Sequence, residues 1–349
     1  MSDLPRVLSY PPVHDYVDRL HGRAATLVHR DQPWPRLPDL YDPDWLSSHA
    51  TDWDVVHLHF TWEQYPPATL RAVLEAHGAA GTPIVWTAHD LRNPHVPDGA
   101  GDAACLGLLA EAADEVLTLT PGAAAAVTER FGRSPRIVPH GPIVPPAEAA
   151  ELRTARRRGG TPLRVLLLAK SLRANLDWRT PLEVVDGLGA AAGDVAPVRL
   201  DVHLHPDAAD RDEIEAFGTG GGAVTVTVAQ RLSAAELRRR VAGADALLLP
   251  YRWGSHSGLI ELAVDLGTEP IATEVGFIAQ QAPCHVVPLR DGRVDPDRLA
   301  SLLVRMADGT EALDPVPIRQ RERVLDEFVV AHSRLYSRLA SSTGTAVDR

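Results

Sequence analysis

An α/β fold with two Rossmann-like, doubly wound parallel-sheet domains is the architecture this sequence predicts. Three features carry the prediction. Short β-branched or leucine-rich runs alternate with longer segments rich in Ala, Leu, Glu and Arg. Most of those runs stay apolar through their middles, as strands covered on both faces do. They form two sets, separated by a stretch of prolines, basic residues and paired glycines. Strand–helix–strand order of this kind belongs to parallel sheets. A chain of 349 residues is long enough for two domains with cores of their own.

In the first half the expected strands are RVLSY (6–10), ATLVHR (25–30), DVVHLHF (54–60), PIVWTAH (83–89), EVLTLT (115–120) and RIVPH (136–140). Thr120 followed by Pro121 predicts an N-cap and first-turn proline for a helix through GAAAAVTERFG. The stretch GPIVPPAEAAELRTARRRGGTP, 141–162, reads as inter-domain sequence. Its run Arg156, Arg157, Arg158 reads as a solvated helix end, with phosphate contact the alternative. In the second half the expected strands are LRVLLLA (163–169), VRLDVHLH (198–205), AVTVTVA (223–229), ADALLLP (244–250), EPIATEV (269–275) and CHVVPL (284–289). Ser233 and Glu236 fit a capping box that opens ELRRRVAG. The glycines of GTGGGA, 218–223, precede a strand and lack the Lys and Ser/Thr of a phosphate loop, so they read as a connection. The domain scheme is 1–145, a linker at 146–162, 163–315, a helical segment 316–340 returning toward the first domain, and a tail at 341–349.

Composition narrows the function. Acidic residues outnumber basic ones, 46 to 35, giving a net charge of −11. Such a chain is a poor ligand for nucleic acid, although a local basic site is compatible with it. No run is apolar for long enough to span a bilayer, and MSDLPRVLSY lacks the pattern of a secretory leader. Two cysteines, Cys105 and Cys284, lie far apart and form no CxxC pair. A reduced, cytoplasmic setting is expected, without structural zinc.

In open α/β sheets, ligands bind at the carboxyl edge of the strands. The informative residues are therefore those that follow each strand. After the first strand, PPVH places His14 before a helix whose N-terminus can approach an anion. His57 and His59 share one strand face. With no third ligand in view they read as hydrogen-bonded histidines instead of a metal site. His203 and His205 repeat the spacing and read as packing. His89, Asp90, Arg92, Asn93 and His95 crowd the end of PIVWTAH, a polar group that points to ligand contact, with Asp90 holding His89 in one tautomer. Lys170 and Arg173 follow the first strand of the second domain and suit a phosphate or diphosphate. In RWGSHSGLIELAVDLG a helix is expected from about residue 257, with Ser257, Glu261 and Asp265 along one polar stripe. Its first amides make an anion site, and Glu261 suits the hydroxyls of a ribose or sugar.

The ordered set DVVHLHF, TAHD, ADEVLTLTPGA, RIVPHG, VLLLAKSLR, RLSAAELRRRVAGADALLLPY and SGLIELAVDLGTEPIATEVG resembles glycosyltransferases of the GT-B fold. It is most similar to the large retaining family 4, and within it to an actinobacterial-type subgroup. The resemblance spans about residues 5–340. It implies that Lys170 and Arg173 face the donor diphosphate and that Glu261 contacts the nucleotide ribose. It implies too that the amides of His256, Ser257 and Gly258 approach the phosphate or donor sugar, with Arg252 beside them. His89 would touch the transferred sugar, with His14, His59, Asp90, Arg92 and Asn93 on the acceptor side. The chain departs from the family pattern in carrying Trp253 where an acid is expected and Asn175 and Leu176 where a Lys is expected. PPVH stands where the family has a Gly-rich loop.

The expected function is transfer of a sugar from a nucleotide diphosphate sugar, such as a UDP-sugar, to a small-molecule acceptor. Retention of configuration is expected, with no metal and no cofactor beyond the donor substrate. Closure about the linker would exclude water. A nucleotide-sugar epimerase of the same architecture and a non-catalytic nucleotide- or sugar-binding relative are the alternatives. The sequence carries no indication of oligomeric state.

Overall fold

The computed structural model describes residues 4–30, 39–60, 62–97, 99, 101–154, 162–192, 197–219 and 222–344. The run Arg156–Arg158, the middle of the GTGGGA connection and residues 345–349 of the expected tail lie outside the described residues. The chain divides into two compact units. The first comprises Met1–Asn93, Asp98–Pro142 and Glu322–Arg349; the second comprises Pro94–Pro97 and Ile143–Arg321.

The first unit contains β1 (Arg6–Tyr10), α1 (Asp15–Asp18), β2 (Thr26–Leu27), α2 (Pro43–Ser48), β3 (Val55–Leu58), α3 (Pro67–Ala79), β4 (Ile84–Thr87), α4 (Asp102–Ala112), β5 (Glu115–Thr118), α5 (Pro121–Phe131) and β6 (Arg136–Ile137). Its six strands run parallel in the order β2-β1-β3-β4-β5-β6. The strand order reverses beside β1, the kind of switch point that opens a ligand crevice. Every residue of β3 and β4 is buried. That explains the continuous apolar runs. The two edge strands are only two residues long, shorter than ATLVHR and RIVPH implied. Brief edges leave few unpaired backbone groups. Trp62, Trp86 and Tyr10 fill the core. Thr120 caps α5 by accepting a hydrogen bond from the Ala123 amide, with Pro121 in the first turn.

The second unit contains α6 (Pro146–Thr154), β7 (Leu163–Lys170), α7 (Arg179–Ala192), β8 (Val198–Leu204), α8 (Arg211–Gly218), β9 (Val224–Val228), α9 (Ala234–Gly243), β10 (Ala246–Leu249), α10 (Gly258–Leu266), β11 (Glu269–Thr273), α11 (Ile278–Gln281), β12 (His285–Val287), the hairpin β13 (Leu289–Arg290) and β14 (Arg293–Val294), and α12 (Pro296–Ala307). Its main sheet is again six-stranded and parallel, in the order β12-β11-β10-β7-β8-β9. Here the order reverses beside β7, between β10 and β8. The capping box of Ser233 and Glu236 forms and opens α9. Residues 146–154, within the expected linker, fold as α6.

The last helix, α13 (Ile318–Gly344), starts in the second unit and gives residues from Glu322 onward to the first. Phe328 and Tyr336 are fully buried in the first unit. A Cβ on Gly141 would lie 2.9 Å from the Phe328 ring, so this position has room for glycine alone. No helix among the described residues is long and apolar enough to cross a membrane.

Candidate functional site

In the second unit the chemistry gathers at the carboxyl edge of β7. Lys170 ends that strand with φ +53°, and Leu172 follows with φ +56°. Two non-glycine residues in the left-handed region mark stored strain, which persists where the surroundings require it. A register irregularity between Leu168 and Lys170 turns the end of the strand. The Lys170 carbonyl accepts the His205 amide at 2.9 Å, and the Ser171 hydroxyl pairs with His205 Nδ1 at 2.9 Å. Burial, then the charges of Arg173 and Arg231, pushes the Lys170 ammonium down to about 8. Arg173 and Arg231 are exposed, and neither makes an ion pair among the described residues. Arg231 stands three residues past β9, so the three cations line the ends of β7 to β9. Among the described residues none of the three makes an ion pair, and the carboxylate at this edge, Asp207, accepts from the Ser171 hydroxyl at 3.5 Å.

Lys170 and Arg173 were expected at this edge; Arg231, Ser171 and His205 were not. The strand-end rule finds Ser171 after β7, His205 after β8 and Arg231 past β9.

The loop RWGSHSG follows β10. It is fixed by the Phe277 amide donating to the Ser255 carbonyl at 2.9 Å. Gly276, at φ +53°, sits so close that a Cβ would fall 2.0 Å from the Gly254 carbonyl oxygen. Ser257 caps α10, its hydroxyl accepting the Leu259 amide at 3.3 Å. The helix start matches the expectation, but its surroundings do not. The Ser257 amide, expected to meet phosphate, donates to Gln281 Oε1 at 3.0 Å. His256 and Ser257 are buried, and Gly258 is half-buried.

The polar stripe of α10 is turned inward. Glu261 and Asp265 are each 1 % exposed. Glu261 Oε2 accepts from Arg321 at 2.6 Å and Oε1 from Gln281 at 3.2 Å. Asp265 Oδ1 accepts from Arg321 at 2.6 Å, and Oδ2 accepts the Ile143 and Val144 amides at 2.7 and 3.0 Å. The ribose role implied for Glu261 is thus corrected: both its oxygens are committed to partners within the unit. Helical spacing put the carboxylates on one face, but nothing local shows that an arginine 60 residues on will occupy it. Burial raises Glu261 to about 7; Arg321 opposes that shift and Asp265 adds to it. Arg252 reaches Asp177 Oδ1 at 3.7 Å with about a third of its side chain exposed.

In the first unit the expected residues cluster around the ends of β1 and β3. His89 Nδ1 pairs with Asp90 Oδ2 at 2.9 Å, both side chains partly exposed. Rings then run from His14 to Phe60 (4.9 Å between centroids), Phe60 to His89 (6.0 Å), His89 to His140 (6.1 Å), His140 to Tyr16 (4.5 Å) and Tyr16 to His59 (5.2 Å). His14 caps α1 with its own ring, Nδ1 accepting the Tyr16 amide at 3.1 Å. α1 starts at Asp15 as expected but is a single turn, and its Tyr16 amide is taken up by the His14 ring. His57 and His59 stack at 3.7 Å, which confirms their shared face. Both are buried. His57 bonds Tyr336 and Thr87, whereas neither ring nitrogen of His59 has a hydrogen-bond partner. The acceptor-side role expected of His59 is not served directly by a ring only 1 % exposed. Asn93 is likewise buried: its amide donates to Asp102 and its side chain to the Glu63 carbonyl. Arg92 and His95 are exposed. Among the described residues no three His, Cys, Asp or Glu side chains are grouped to hold a metal ion.

No family model matches the chain, and no curated protein matches its sequence. Solved structures do share its fold. HepE of Anabaena in complex with UDP-glucose has a TM-score of 0.58 at 14 % identity, covering 86 % of this chain and 82 % of that one. A UDP-forming α,α-trehalose-phosphate synthase from Burkholderia xenovorans, in complex with glucose-6-phosphate, has a TM-score of 0.58 at 14 % identity, covering 89 % and 76 %. A glycosyltransferase from Rickettsia africae has a TM-score of 0.57 at 12 % identity, covering 97 % and 99 %. The chain therefore has the two-domain α/β architecture of these structures, the GT-B fold.

Proposed function

We propose that this protein is a glycosyltransferase that moves a sugar from a nucleotide diphosphate sugar to a small-molecule acceptor. The observation that carries the reading is the trio Lys170, Arg173 and Arg231, without an ion pair among the described residues, at the carboxyl edge of β7 to β9. Breaking the bond between a sugar and a nucleoside diphosphate leaves negative charge on the diphosphate. Fixed cations placed beforehand lower the cost of that charge without reorganising in the transition state. The fold supports the reading, since solved structures of this shape are in complex with UDP, UDP-glucose and glucose-6-phosphate.

In this scheme the second unit holds the donor, and Arg252 with the His256–Gly258 segment borders its sugar. The first unit supplies the acceptor side, where Asp90 fixes the orientation of His89. The chain's own cations supply the charge that a divalent ion supplies elsewhere, so the reading needs neither metal nor cofactor. Retention of configuration is part of the proposal, on the family resemblance. Two free thiols, Cys105 and Cys284, fit a cytoplasmic setting.

Titration calorimetry with UDP, GDP and dTDP tests the donor assignment. One diphosphate is expected to bind, and Lys170→Ala or Arg173→Ala is expected to weaken it about tenfold or more. Unchanged affinity in both variants would end the assignment. Binding without any transfer across an acceptor panel, with chelator present or absent, would mark a non-catalytic relative.

A further inference from the structure

A second group of cations lies at the same sheet edge: Arg252, set above beside the donor sugar, and Arg293, to which nothing above gives a ligand. Arg252 follows β10, and Arg293 opens β14. Both guanidinium groups meet the same atom, Asp177 Oδ1, Arg293 at 3.4 Å and Arg252 at 3.7 Å. Asp177 is fully buried and already engaged, for its Oδ2 accepts the Val294 amide at 2.9 Å and its Oδ1 the Thr180 amide at 3.5 Å. One carboxylate thus serves two guanidinium groups at long range, and one positive charge is left over. The Nε atoms of Arg252 and Arg293 are buried without a hydrogen-bond partner. Buried donors of this kind are costly unless something accepts from them.

Asn175 adds a second, independent unsatisfied group. It is 3 % exposed, and its Nδ2 donates to the Trp253 carbonyl at 2.7 Å. That bond fixes which end of the amide is nitrogen, because a flipped amide would set oxygen against oxygen. Oδ1 is then a buried acceptor with no partner. Asn175 follows β7 and Arg252 follows β10, and those strands are neighbours where the sheet order reverses. Ligands of open α/β sheets bind at this position.

We infer that Arg252, Arg293 and Asn175 form a subsite for a sugar bearing an anionic group. The guanidinium pair takes the carboxylate or phosphate, and Asn175 Oδ1 accepts from a neighbouring hydroxyl. Paired guanidinium forks match planar or tetrahedral oxyanions, and a neutral sugar would leave the surplus charge unanswered. The inference rests on the reading of this unit as a nucleotide-sugar site. It names the sugar class that reading leaves open. A tether between the hairpin and the RWGSHSG loop would use the same Asp177 contacts, but it would show no ligand preference.

The test is calorimetry on the full-length protein with UDP, UDP-glucose and UDP-glucuronate, and with GDP, GDP-mannose and GDP-mannuronate. Glucose and glucose 6-phosphate, each with saturating nucleoside diphosphate, form a separate arm. The acidic member of one pair is expected to bind about tenfold or more tighter than its neutral partner. Preference in the nucleotide-sugar arm places the anion on the donor; preference in the glucose 6-phosphate arm places it on the acceptor. Arg293→Ala should abolish the preference while leaving the plain nucleoside diphosphate within about twofold. Arg293→Lys should restore it in part. Equal affinity for acidic and neutral members, with the nucleoside diphosphate still binding, would overturn the subsite and leave the glycosyltransferase reading standing. Equal loss for every ligand in Arg293→Ala would show a tether only. Failure of every nucleotide to bind would overturn both.

Discussion

Lys170 is the residue at which structure and proposed chemistry meet most closely. Its ammonium is held down to about 8 by burial and by two arginines, with no carboxylate opposing them. A bound diphosphate would supply that opposing charge and draw the proton back. Affinity for nucleoside diphosphate should therefore be highest below pH 8 and fall as pH rises through 8, with proton uptake on binding near that value. Calorimetry in two buffers of different ionisation enthalpy measures the uptake. Lys170→Arg keeps the charge at any accessible pH and should flatten the dependence. An identical pH profile in both proteins would remove Lys170 from the ligand. The strand-end rule pointed to this residue. It gave no sign of the left-handed backbone at Lys170 and Leu172, because that strain comes from how β7 meets β8.

α10 is the element whose meaning changed most. Its start, its capping serine and its polar stripe were all legible from spacing. The direction of the stripe was not. Glu261 and Asp265 face Arg321, and Asp265 also holds the amides of Ile143 and Val144. The helix thus anchors the second unit at both ends of its main segment, Ile143 and Arg321. Arg153 adds to this by donating to the Val264, Asp265 and Val316 carbonyls. Two buried carboxyls share one guanidinium. Burial raises both carboxyls, against the pull of Arg321, and Glu261 keeps its proton up to about 7. The folded value lies above the ordinary 4.5, so Glu261's contribution to stability is complete below that pH and is lost as pH rises through 7. Glu261→Gln, neutral at every pH, should melt with a flatter dependence between pH 5 and 8. Arg321→Ala leaves both acids unpaired in the interior and should cost about 3–5 kcal/mol. Parallel wild-type and Glu261→Gln curves of melting temperature against pH would contradict the assignment.

The whole molecule sets two units of opposite pH sensitivity on one chain. The first unit buries His57, His59 and His332 against one another, with no carboxylate among the groups that shift them. Burial drives all three below the ordinary histidine range, His332 to about 4. A depressed folded-state value gives stability that is whole above about 6.5 and is lost as pH falls toward 4. The first unit should therefore unfold in acid while the Glu261 pairing in the second is still strengthening. Fluorescence of the buried Trp62 and Trp86 follows the first unit. His332→Leu, which removes one of the three titrating rings, should move the acid midpoint to lower pH, and an unmoved midpoint would clear the cluster of blame. The sequence by itself determined the two parallel sheets, nearly every strand, the helix caps and the strand ends where Lys170, Arg173 and His89 stand. Those follow from period, composition and turn chemistry, which are local. Tertiary structure alone decided that Glu261 is committed to Arg321, that His59 lies beneath Tyr16 and that Arg252 and Arg293 converge on one aspartate, Asp177. Such pairings join residues tens of positions apart, and their energies depend on burial and partner geometry that no local pattern records.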